Sequence, residues 1–394
     1  MPRRVFASVI ATSTAGVLPV FLLGGLAVQI RDDLGLRESA QGWVVFGYFG
    51  VSALSSAAFG RLVERIGPVA AMRLSSVLSA GCLAGAAAAP SFTVLLVWLA
   101  LGGLANSLAQ PGSNALIVAA VDARRNGLAF GVKQSAIPAA TLLAGLAVPT
   151  VALTVGWRWA FAGAAAFAVA AGLLVPQAPG APAATPVAAP PGAARRGRPE
   201  AALSSLLVLG VGAGLGSAMA NCLGAFLTST AVEAGIARGP AGALLSAGSL
   251  LGLSSRLFAG WRADSMAGSH FRVVIAMLAT GSSGLALLAT GTPTGIVAGT
   301  ALAFGFGWAW PGIFNLAVVS HNRAAPAAAT GVTQSGTYAG GAVGPVVFGY
   351  LVGHGGYRQA WLAFVVVALA GAAVIELGRR RIERPTGALN PALR

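Results

Sequence analysis

Charge is what this chain has least of. Only 9% of its 394 residues are Asp, Glu, Lys or Arg, against about 25% in an ordinary soluble domain. Ten residues are acidic and one, Lys133, is lysine. So few charges cannot keep a surface of this size wet, which excludes soluble globular and disordered classes. The net charge of +15 would suit a nucleic-acid partner, but the basic residues are scattered rather than gathered into a face, and no such partner is expected.

Cysteine is nearly absent. Cys82 and Cys222 each sit inside an apolar stretch, so no disulfide framework is implied. His270, His321 and His354 lie far apart in sequence, and no metal centre is expected. HExxH, CxxC, GxSxG and phosphate-loop patterns are all missing. No enzyme chemistry and no cofactor is therefore expected.

Long apolar runs are abundant, with 56% hydrophobic residues. A bilayer-crossing helix needs about 20 of them in succession. Read from charge to charge, residues 5–30 and 39–60 are two spans, and 74–121, broken at Pro90, are two more. Residues 126–157 and 159 to about 176 complete six. The second half repeats the count with 201–232, 239–255, 273–322 (broken at Gly291–Pro293), 324–357 and 359–375. The expectation is an all-α polytopic membrane protein of twelve transmembrane helices in two six-helix bundles. Arg3 and Arg4 precede a first run too long for a signal peptide, so it reads as a retained helix.

Arginine placement sets the orientation. With the N-terminus cytoplasmic, 19 arginines fall on the inner side and five, Arg31, Arg37, Arg158, Arg238 and Arg358, on the outer. The positive-inside rule then puts both termini in the cytoplasm of a cell or inner membrane. Pro176–Pro199 is Pro- and Ala-rich and ends in arginines, the composition of an extended linker. It divides the chain into 1–177, a linker at 178–201, and 202–394 with a basic tail.

The halves match at an offset of 200 residues. Gly131-Val-Lys-Gln-Ser-Ala136 aligns with Gly331-Val-Thr-Gln-Ser-Gly336, and Gly156-Trp-Arg-Trp-Ala-Phe161 with Gly356-Tyr-Arg-Gln-Ala-Trp361. Pro111-Gly112 matches Pro311-Gly312, and Gly60-Arg-Leu-Val-Glu64 matches Gly260-Trp-Arg-Ala-Asp264. Parallel repeats of six helices put a substrate site between the halves, near the bilayer midplane.

The segment Gly60-Arg61-Leu62-Val63-Glu64-Arg65-Ile66-Gly67, between spans two and three, resembles the loop motif of the major facilitator superfamily, Gly-x-Leu-x-Asp-Arg-x-Gly, with Glu64 in place of Asp. Gly260–Asp264 is its degenerate second copy. The resemblance covers the whole chain and implies a monomeric transporter working by alternating access. It also implies a cytoplasmic gate in which Gly60 and Gly67 permit close approach and tight turns, while Glu64, Arg65, Arg262 and Asp264 form ion pairs. The competing reading of those charges is that they only fix topology.

Charge at membrane depth marks a candidate site. Lys133 lies 8 residues past Arg125, about 12 Å along a helix. Arg256 precedes Arg262 by 6 residues, about 9 Å. No acidic residue falls inside a span to pair with them. Spans five and eight adjoin in the facilitator fold, so the two cations are expected to hold a small organic anion. The position of Arg256, four residues before Gly260, is similar to the substrate arginine of monocarboxylate and oxalate–formate transporters, whose companion lysine sits on other helices. Snorkelling to the headgroups is the competing reading.

Asn106, Gln110 and Asn114 recur on one face of span four. Asn221, Trp310, Asn315, Gln334 and Tyr338 are further lining candidates, although such residues also serve as interhelical glue. A proton-coupled carrier usually offers an embedded carboxylate, and this chain has none. Cation-free export of drugs or neutral metabolites is the alternative function.

Overall fold

The computed structural model describes residues 2–35, 38–120, 132–176, 201–263, 269–322 and 326–383. Residues 178–200 of the expected linker, and Asp264, lie outside the described residues. Helix α1 (Pro2–Gly25) passes a one-residue break at Leu26 into α2 (Ala27–Leu34). Gly35 ends α2 at φ 66°, its N–H returning to the Arg31 carbonyl, a left-handed cap that glycine adopts without steric cost. Next come α3 (Glu38–Ile66), α4 (Pro68–Ala87), α5 (Phe92–Ala120) and α6 (Ala136–Ala147), the last prolonged by a π-helical turn at Val148–Ala152. Helix α7 (Trp157–Leu174) completes the first half.

The second half comprises α8 (Leu203–Glu233), α9 (Arg238–Ala263), α10 (His270–Leu288) and α11 (Pro293–Leu302). A π-helical turn at Ala303–Gly307 leads to α12 (Pro311–Ser320), and α13 runs from Pro326 to Ile382. Helix α13 has 57 residues, about 85 Å at helical rise and nearly three times the hydrocarbon core. At Gly356 the backbone leaves helical geometry, with φ 75° and ψ 175°, so the segment is two rods meeting there.

Among the described residues, ten helical stretches are long and apolar enough to cross a membrane, with Ala329–Ile382 counted as one. Helix α3 is 29 residues long and carries no charged residue from Ser39 to Gly60, a run long enough for a further span. Large apolar side chains such as Leu54, Val77, Leu173 and Val366 point outward, while Thr12, Ser75, Asn106 and Lys133 are buried. This inverted pattern suits a lipid surround.

Two boundaries differ from the sequence expectation. The motif segment Gly60–Arg65 is not a loop: α3 runs through it to Ile66, and only Gly67, at φ 81°, makes the turn. Val63 explains this, because it is buried against Ala71 and Leu108 and holds the last turn in the bundle. Gly260 is likewise helical, within α9.

Small residues let the longest helices touch. Gly336, Gly340 and Gly344, one turn apart on α13, face the main chain of Gly210, Gly214 and Ala218 on α8, as close small-residue packing in membranes requires. The halves meet where α3 packs on α13, α6 on α9 and α1 on α8. Their contacts gather at the Asp32 end. Gly24 abuts Gly224 and Ala225, Gly42 abuts Pro345, and Gly145 abuts Gly242 and Ser246. The Gln41 amide donates to the Ala225 carbonyl, Ser246 Oγ to the Leu142 carbonyl at 2.9 Å, and Arg238 pairs with Asp32.

Candidate functional site

Lys133 stands just ahead of α6 and is only 6% exposed. Its Nζ donates to Asn114 Oδ1 at 2.5 Å and to the Gln110 carbonyl at 3.3 Å, both on α5. Two of three ammonium donors are thus used, and both acceptors are neutral. The polar row continues along α5, where Gln110 Nε2 donates to Asn106 Oδ1 at 3.4 Å and Asn106 Nδ2 to Ser52 Oγ at 3.3 Å. Three of the expected lining residues therefore form one chain of hydrogen bonds ending at Lys133.

Among the described residues, the hydrogen-bond acceptors of Arg256, on α9, are main-chain carbonyls. Nε and Nη2 donate to the Trp308 carbonyl at 3.1 and 2.6 Å, and Nη1 to the Gln134 carbonyl at 3.3 Å. The guanidinium carbon also lies 5.2 Å from the Trp308 ring centroid, within cation–π range. Both acceptor carbonyls sit at helix breaks. Gln134 is followed four residues later by Pro138, which has no N–H to return to it. Trp308 lies in the turn between the π-helical Ala303–Gly307 and Pro311 at the start of α12.

The expected neighbours Lys133 and Arg256 are therefore brought to adjoining helices, with the residue after Lys133 bonded to Arg256. Among the described residues neither pairs with a carboxylate. Phe21 on α1 meets Trp308 edge-on, with centroids 6.2 Å apart, so an aromatic contact from the first half backs the arginine.

The other candidates are spread. Asn221 Nδ2 donates to the Ser217 carbonyl at 2.9 Å and Oγ at 3.2 Å within α8. Trp310 is buried beside Gly216, and among the described residues its Nε1 has no partner. Asn315 on α12 and Gln334 on α13 are half-buried, and Tyr338 is 37% exposed. At the other end of the bundle Gly60 stands in open space, so it makes no close approach here. Arg65 and Arg262 are exposed. Glu64 lies on α3, and its side chain is outside the described residues.

Sequence reasoning missed the pair Asp32–Arg238, the main-chain acceptors of Arg256, and Asp33. Asp33 accepts from Trp157 Nε1 at 3.1 Å and pairs with Arg158; the Asp-Asp doublet beside Gly35 was the available signal. Among the described residues no three of His, Cys, Asp and Glu cluster as a metal site needs. A separate concavity of about 330 Å³ is lined by Ile236, Pro240, Ala243, Leu244, Ala247 and Val297. It is apolar, and it lies at the opposite end of α9 from Arg256.

Two helical halves, joined along paired helices around a buried lysine and a half-buried arginine, define a membrane transporter fold. The sequence pattern of the Major Facilitator Superfamily matches residues 5–210 and again 206–393, and the chain belongs to that family. It is a transporter, not an enzyme. A bacterial homologue of the human lysosomal transporter Spinster, in an inward-facing and occupied conformation, superposes with a TM-score of 0.76 at 15% identity, over 96% of each chain. Its unoccupied inward-facing form gives 0.77 at 15% identity, over 97% of this chain and 98% of that one. A mutant of the nucleoside transporter NupG gives 0.74 at 15% identity, over 95% and 99%. At that identity the likeness is one of fold. No curated protein matches the chain in sequence.

Proposed function

We propose that this transporter moves a small organic anion, carboxylate-like in charge, by alternating access between two six-helix bundles. One observation carries the reading: Lys133, just ahead of α6, and Arg256, on the adjoining α9, are held among the described residues by neutral oxygens. Two cations in a low-dielectric setting repel each other, and a bound anion relieves that repulsion. The amides of Asn106, Gln110 and Asn114 supply neutral donors beside it, and Trp308 and Phe21 an aromatic wall. Asn221, Trp310, Asn315, Gln334 and Tyr338 are proposed to line the path.

Twelve crossings follow if α3 spans and α13 crosses twice about Gly356. The bundles are then 1–177 and 202–394, joined by the 178–201 linker, in a monomer. The arginine count supports cytoplasmic termini in a cell or inner membrane. In that orientation the Asp32 end is extracellular or periplasmic, so the contacts gathered there describe an inward-facing state. Gly60, Glu64, Arg65, Gly67, Arg262 and Asp264 are proposed as the gate that closes the other end.

Uptake into proteoliposomes tests the cargo. Labelled monocarboxylates and dicarboxylates should be transported by the parent and lost in both Lys133→Ala and Arg256→Ala. If neutral metabolites or drugs are carried and survive both substitutions, the cargo is not an anion and the neutral exporter reading takes its place.

A further inference from the structure

Proline leaves a carbonyl just ahead of α6 without its helical donor, and the structure fills it from the other half of the molecule. The Gln134 carbonyl would ordinarily accept from the N–H of residue 138, but Pro138 has none. Instead it accepts from Arg256 Nη1, while the other side of the same guanidinium holds the Trp308 carbonyl at the break before α12. One side chain thus satisfies a broken helix in each half and ties the halves together. Relative to the contacts at the Asp32 end, this bond is displaced toward the arginine-rich end, since Gly145, on α6, follows Gln134 while Gly242 and Ser246 precede Arg256 on the antiparallel α9.

We propose that Arg256 is a ligand-released tie between the halves: an anion that takes the guanidinium withdraws it from Gln134, so that binding cargo and freeing the bundles to rock are one event. The proposal deepens the anion reading above and rests on it. Its physical basis is competition for a fixed set of donors. Arginine has five N–H groups in a planar fork, and three already point at main-chain carbonyls. A carboxylate is best held through two parallel N–H bonds, and an edge that includes Nη1 cannot serve both partners in the present geometry. A ligand shifts a conformational equilibrium only through such a difference between states. The tie belongs to the state closed at the Asp32 end, so whatever breaks it lowers the share of that state.

Pro138→Ala provides the test without touching Arg256 or Lys133. It restores an N–H that competes for the Gln134 carbonyl. Arg256→Lys is the second variant, keeping the charge while losing the reach to both carbonyls. The readout is the distance distribution between spin labels at Val155 and Thr294, one on each half at the Asp32 end, with Cys82 and Cys222 replaced. Without anion, both variants should raise the population of the longer, open separation about five-fold over the parent. Benzoate should produce the same shift in the parent and add little in Pro138→Ala. Parent-like distributions in both variants would overturn the tie. If both variants shift but neither benzoate nor oxalate moves the parent, the tie stands and ligand release fails together with the anionic cargo.

Discussion

Arg238, the first residue of α9, is ion-paired with Asp32 of α2, so a salt bridge spans the two halves at the end of the molecule where their contacts gather. The 200-residue repeat has no second copy of it. The positions related to Asp32 and Arg238 are Val232 and Glu38, which cannot make the same pair. Both partners are about half exposed, at 53% and 46%, which limits the pair to about 1 kcal/mol or less. Even that matters across a conformational equilibrium, where 1 kcal/mol is about a five-fold change in population.

Charge reversal should therefore open this end and a second reversal should close it. In a background lacking Cys82 and Cys222, Thr228→Cys places a thiol one turn beyond Ala225, at a position 1% exposed. Arg238→Glu should speed its reaction with an impermeant maleimide about five-fold, and Asp32→Arg added to it should restore the parent rate. A double variant as reactive as the single would show that the pair is not a latch.

Asp33, the next residue, works within the first half. Hydrogen bonds from Arg158 and Trp157 hold its carboxyl below the ordinary value of 3.8. A depressed acid stabilises the fold above its unfolded pKa and loses that contribution as pH falls through the folded value. Asp33→Asn should thus melt lower than the parent at pH 5–8, by an amount limited by the 45% exposure of the carboxylate. The gap should shrink at pH below about 4. A deficit that stays constant from pH 7 to pH 3 would assign the effect to packing.

Asn114→Asp places a carboxylate where an amide oxygen now lies 2.5 Å from Lys133 Nζ. The lysine would gain an internal counter-ion, and anion uptake should fall about ten-fold, equivalent to losing about 1.4 kcal/mol of attraction. Thermal stability should hold, because the pair is satisfied. Initial-rate uptake in proteoliposomes checks this; undiminished carboxylate transport would remove Lys133 from the site.

The α8–α13 seam admits no side chain at Gly340, which faces the Gly214 main chain. Gly340→Leu should force the helices apart at a cost of about 1–3 kcal/mol or more, read as a lower melting temperature of the purified protein. Gly60→Leu, where nothing lies within 4 Å, should leave that temperature unchanged.

Much of the architecture was readable because lipid imposes a simple rule: a backbone crossing it must satisfy its own hydrogen bonds, so long uncharged runs become helices. The break before α11 at Gly291–Pro293 and the turn at Gly67 were visible as Gly and Pro punctuation. The charges of the motif around Gly60 read as loop, whereas the burial of Val63 against Ala71 and Leu108 makes it helix. Lys133 and Arg256 stood out for the same reason the spans did, as cations in apolar surroundings.

What the sequence by itself determined is therefore the two-fold repeat, together with the membrane class and the two candidate cations, the last two being consequences of how costly charge is in lipid. What only the tertiary structure decided is what those cations touch. The partners of Arg256 are carbonyls, which every residue carries, so no side-chain pattern could single out Gln134 and Trp308. Nor could local sequence bring Asp32 to Arg238, since the closeness of groups so far apart along the chain depends on how the two halves lean together.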